Sequence, residues 1–137
     1  MTDSTDKPTS DIPLGPMAQR MGMKLISASA QEVIGTMPVE GNTQPFGLLN
    51  GGASMAMVET LGSIGAAFHA GSGRIAVGIE INGSHHNAAR NGIVTGVARP
   101  ITLGKTLAVY EVKISNEADD LICTGRITCL IREKKHN

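Results

Sequence analysis

One segment of the chain, from about Gly52 to His69, repeats its apolar residues at helical spacing, while the other apolar stretches run as strands. Ala53, Met57, Thr60, Ile64 and Ala67 fall on one stripe, which Ala56, Leu61 and Phe68 widen. The small residues of HAGSG stop the segment. Before it, MKLISASA and EVIGTMPV read as a hairpin, followed by the turn chemistry of EGNTQPFG. After it, residues 74–86, 92–101, 106–115 and 121–132 read as four strands separated by turn-like NAARNG, TLGK and NEADD. A lone long helix must bury its stripe on a sheet. The order β-β-α-β-β-β-β therefore predicts an α+β domain, a long central helix wrapped by a mostly antiparallel β-sheet.

The 137 residues fit one domain, placed at residues 16–133, with PMAQRMG forming a short helical turn at its start. Residues 1–15 are expected to be a disordered tail and residues 134–137 a solvated end. No basic stretch followed by an apolar one opens the chain, and no apolar run reaches the roughly 18–20 residues of a membrane span. The expectation is a cytoplasmic protein without a membrane partner. A formal net charge of zero, with two Phe, one Tyr and no Trp, argues against nucleic acid. It also means that the core is built from aliphatic side chains. Cys123 and Cys129, six apart, fit no zinc or redox spacing and are read as reduced thiols on one face of a strand. His85 and His86 lack a third ligand at suitable spacing, so no metal is expected.

The helical segment holds a single acid, Glu59, whose nearest charged neighbours in sequence are Glu40 and Arg74. An ionised carboxylate buried without a partner is costly. Glu59 is therefore either on a wet stripe beside Ser63, one turn on, or poised at a cleft or subunit interface as base or nucleophile. Gly51 and Gly52 sit at the helix start, where unpaired N–H groups and the positive dipole end meet. Without side chains there, a carbonyl can approach closely enough for an oxyanion site made of backbone. Eight residues of helix separate Gly51 from Glu59, about 12 Å. Both must reach one carbonyl carbon, so the spacing predicts two antiparallel copies sharing sites, Gly51 of one facing Glu59 of the other.

These residues carry a resemblance. QPFGLLNGGASMAMVETLGSIGA, VGIEINGSHH and RPITLGKTLAVYEVKISNE are similar to the hotdog-fold acyl-CoA thioesterases of the phenylacetate-degradation type. The resemblance is strongest to the branch containing 4-hydroxybenzoyl-CoA and 1,4-dihydroxy-2-naphthoyl-CoA thioesterases, and it runs from about residue 20 to 132. It implies a hotdog fold, homodimers and often homotetramers, and hydrolysis of an aryl- or other acyl-CoA with no cofactor. By position it implies Glu59 as nucleophile or general base, the Gly51 N–H as carbonyl donor, Gln44 near the thioester and Ser63 beside the carboxylate. Asn50 stands where that branch carries histidine; its amide can donate a hydrogen bond but cannot take up a proton near neutral pH. His85 matches a histidine at the CoA-binding rim, with Asn82 and Ser84 in the same NGSHH run. Arg90, Lys105 and Arg126 are the basic candidates for the CoA phosphates. Two other functions stay open for such a chain: a hotdog dehydratase, and an acyl-CoA or acyl-carrier binding protein without efficient turnover.

Overall fold

The expected element order is realised in a computed structural model that describes residues 8–135. A 3-10 turn (Thr9–Asp11) and α1 (Pro16–Arg20) precede β1 (Lys24–Ala28) and β2 (Val33–Pro38). Then come α2 (Gly51–Ala70), β3 (Arg74–His85), β4 (Ile93–Leu103), β5 (Leu107–Ser115) and β6 (Leu121–Glu133). The strands form one sheet in the order β1-β2-β4-β5-β6-β3, and every neighbouring pair is antiparallel. The tail expected over residues 1–15 falls outside the described residues up to Lys7. Beyond it, Ile12 and Leu14 pack against the core, because they have apolar surface to bury. No helix among the described residues is long and apolar enough to cross a membrane.

The 20-residue α2 lies across the sheet and buries Ala53, Met57, Val58, Leu61 and Ile64. Thr60 and Ala67, counted on the stripe from spacing alone, stand at its edge. Thr60 is half-buried and its hydroxyl donates to the Ala56 carbonyl at 2.8 Å, while Ala67 is exposed. Val58, Gly62 and Gly65 take their places against the strands. As the composition requires, the largest fully buried side chains are aliphatic or sulfur-bearing except for Tyr110. Its hydroxyl donates to the Ala30 carbonyl at 2.5 Å, and burial pushes its pKa up to about 12, with Cys129 adding to the shift. Cys123 and Cys129 are free and buried on β6.

With little aromatic volume available, helix and sheet approach closely through glycines on both sides. A Cβ on Gly96 in β4 would come within 2.7 Å of Leu61, and one on Gly125 in β6 within 2.6 Å of Val58. A Cβ on Gly65 in α2 would strike the Tyr110 ring at 2.5 Å, and one on Gly62 would overlap Ile127 more severely still. Overpacking a core costs about 1–3 kcal/mol, and this overlap is with a stiff β-branched side chain. That exceeds the roughly 1 kcal/mol by which Ala is favoured over Gly in a helix. Gly62→Ala is therefore expected to lower the urea midpoint of unfolding, and a raised midpoint would contradict the packing.

The strand β3 positions the site. Among the described residues it pairs only with β6, at the end of the sheet, and it carries a bulge: Gly78 lies opposite Cys129 and Glu80 opposite Thr128, leaving Ile79 as the extra residue. A one-residue slip exchanges the faces of a strand. Before the bulge Gly78 faces α2; after it, Gly83 and His85 face α2, lying against Met55 and Gly51. Glu80 and Asn82 turn to the other face, where the Asn82 amide donates to the Glu80 carboxylate at 2.6 Å. Val77, Ile79 and Ile81 are exposed along this strand, an apolar edge that a lone chain leaves uncovered.

Candidate active site

The start of α2 is held by the loop before it. Leu49 N–H donates to the Ala89 carbonyl at 2.8 Å and Asn50 N–H to the Asn42 carbonyl at 2.9 Å. Asn50 is extended (φ −65°, ψ 131°) and acts as N-cap: its Oδ1 accepts from Gly52 N–H at 2.8 Å. Its carbonyl accepts from Ala53 N–H at 2.9 Å and Ser54 N–H at 3.3 Å. Of the first four N–H groups of the helix, only that of Gly51 has no partner among the described residues. The cap thus occupies its neighbours and leaves one donor free, at the positive end of the dipole. Asn50→Ala is expected to lower stability by about 1 kcal/mol, read from urea unfolding. An unchanged midpoint would show that Oδ1 contributes nothing as a cap.

The free donor opens into a cleft of about 320 Å³ lined by Gln44, Leu48, Gly51, Ser54, His85 and Ile122 among others. Gln44 is fixed by its own turn. Its Oε1 accepts from Phe46 N–H at 2.6 Å and Leu48 N–H at 3.2 Å, which leaves its amide hydrogens without a partner among the described residues. The imidazole of His85 lies over Gly51, so close that a Cβ there would meet Nε2 at 2.9 Å. His86 also borders the cleft, with its Nε2 3.1 Å from the Thr124 hydroxyl.

Glu59 and Ser63 lie farther along α2 and do not line this cleft. Glu59 is exposed in the single chain and, among the described residues, makes neither ion pair nor hydrogen bond. Its carboxylate rests on Gly78, where a Cβ would stand 3.0 Å from Oε2 and 3.2 Å from Oε1. Cys129, opposite Gly78 on β6, completes this corner. Burial pushes the Cys129 thiol up; the Ser63 hydroxyl opposes the shift and the nearby charge of Glu59 adds to it. Glu59 and Ser63 thus both act on Cys129. Gly78 and Cys129 were missed, since nothing in the chain ties β3 to β6 before the sheet is known.

The remaining candidates are scattered within one chain. Asn82, Ser84 and Arg126 alternate with residues that touch α2, so they stand on the opposite face of the sheet, with Asn82 and Arg126 directly paired. Lys105 sits in the β4–β5 turn next to Gly104, whose carbonyl is 2.6 Å from His69 Nε2 at the far end of α2. Arg90 is exposed and follows Ala89, the residue that anchors Leu49 at the cleft.

Comparison with known proteins adds a consistent result. Residues 46–123 match the Thioesterase superfamily. The chain is 40% identical over 119 residues to the proofreading thioesterase EntH of Cronobacter sakazakii, covering 86% of this chain and 87% of that one. It is 42% identical over 97 residues to the 1,4-dihydroxy-2-naphthoyl-CoA hydrolase of Escherichia coli, covering 70% and 71%. Among solved structures, a thioesterase from Haemophilus influenzae aligns with a TM-score of 0.83 at 33% identity, over 88% of this chain and 87% of that one.

Proposed function

Because the chain belongs to the thioesterase superfamily and is a thioester hydrolase of hotdog fold, we propose that it hydrolyses an aryl- or other acyl-CoA at sites shared between two copies. The free Gly51 N–H carries this reading, since a preorganised donor aimed at the carbonyl oxygen stabilises the charge that develops during acyl transfer. Glu59 either attacks the carbonyl carbon, giving an acyl-enzyme that water then cleaves, or takes a proton from the attacking water. In both routes the C–S bond breaks, the sulfur leaves with a proton as free CoA, and the acid is released. The spare amide hydrogens of Gln44 offer a second donor beside Gly51.

Sharing follows from the open edge. Two β3 strands paired antiparallel about a two-fold axis near Asn82 bring the Gly78 end of one alongside the His85 end of the other. Glu59, resting on Gly78, then meets the Gly51 that lies under the other copy's His85. Such a homodimer also covers Val77, Ile79 and Ile81. Arg90 is the basic residue best placed for the CoA phosphates, with His85 at the rim. Asn82, Ser84, Lys105 and Arg126 reach a cleft only from another copy, as a homotetramer would allow. The test is release of free thiol from a panel of aryl- and alkyl-CoA thioesters. Turnover of at least one, abolished in Glu59→Gln, is the expected result; binding of CoA thioesters without thiol release would instead make the chain a binding protein.

A further inference from the structure

We propose that Gly78 is a positioning residue: its missing side chain is the seat that fixes the Glu59 carboxylate for attack. The inference rests on the reading of Glu59 as the catalytic group. Glycine weakens the interior of a strand, so its presence there calls for a reason. A left-handed backbone is not that reason, because Gly78 is not among the glycines with positive φ. What a side chain there would crowd is the carboxylate itself. A Cβ at 78 would lie 3.0 and 3.2 Å from its two oxygens, and 3.3 Å from Ile127 Cδ1. No hydrogen bond or ion pair among the described residues holds Glu59, so this contact is what sets where its oxygens stand. Both groups that a Cβ would touch are ends of side chains and can yield. Gly78→Ala is therefore expected to fold normally and to displace the carboxylate by a few tenths of an ångström.

The experiment measures kcat, KM and Tm for Gly78→Ala, Glu59→Asp, their double variant and Glu59→Gln, on the panel member that the native chain hydrolyses fastest. Misplacement of a reacting group by about 1 Å can cost about 10²-fold, so the smaller displacement predicts a loss of about tenfold in kcat for Gly78→Ala. KM should stay within about twofold and Tm should not fall, since Ala restricts the unfolded chain more than Gly. Glu59→Asp withdraws the carboxylate by one methylene, so it should cost less on the Gly78→Ala background than alone. Native kcat in Gly78→Ala, or additive losses in the double variant, would overturn the proposal. The cycle decides even where Gly78→Ala lowers Tm. Native turnover in Glu59→Gln would instead overturn the reading of Glu59, and the role of Gly78 with it.

Discussion

Glu59→Gln is expected to lower kcat for thioester hydrolysis by about 10²–10⁴-fold, with KM and Tm close to native. The amide has nearly the shape of the carboxylate but neither attacks a carbonyl nor takes a proton from water near neutral pH. Folding should be indifferent, because Glu59 is exposed in the chain and holds no ion pair or hydrogen bond among the described residues. An unfolded variant would mean that the carboxylate is a structural group. A folded variant with native kcat would remove it from the chemistry.

The second large effect is recovery by mixing. Gly51→Pro removes the one free N–H of the helix start. Proline is favoured at the first helical position, and Asn50 already has the extended backbone required before proline. A Cβ at position 51 meets only the end of the His85 side chain, which can swing aside. The variant should fold and lose about 10²–10³-fold in kcat, the usual effect of deleting an oxyanion donor. Unfolded and refolded together with Glu59→Ala, it should regain activity. Each heterodimer combines the intact Glu59 of one copy with the intact Gly51 of the other at one of its two sites. Random pairing of equal amounts gives heterodimers half the time, so the mixture should recover about a quarter of native activity. If Glu59 and Gly51 of one chain served the same site, every site would carry a lesion and no recovery would follow.

Much of this was legible before the fold was known. The helix and all six strands follow from apolar spacing, and the interval of about 12 Å between Gly51 and Glu59 is what motivates the proposal of a second copy. Other features were hidden for physical reasons. The degree of burial of Glu59 depends on what covers the edge strand β3, and nothing local to α2 reveals that the neighbouring strand is an edge. The contact of Glu59 with Gly78 joins residues brought together only by packing of the helix on the sheet. Lys105 and Arg126, promising by charge alone, belong to the far end of α2 and to the opposite face of the sheet. The bulge was masked by composition. Ile75, Val77, Ile79 and Ile81 are all apolar, so the alternation looks unbroken across the point where the faces exchange.

That concealed exchange means the orientation of the cleft is recorded in how the strand pairs, as one residue left out of the ladder. A substitution at Ile79 leaves that pairing intact, and many side chains can stand at an exposed position without disturbing it. Were every residue kept but the bulge ironed out, each functional group would remain present and chemically unaltered. His85 would nonetheless turn outward, and Glu80 and Asn82 would face the helix. Loss of Ile79 alone would spare the register, leaving Gly78 and Glu80 in ordinary alternation with His85 still inward. Along this stretch of strand, pairing constrains the site more tightly than composition.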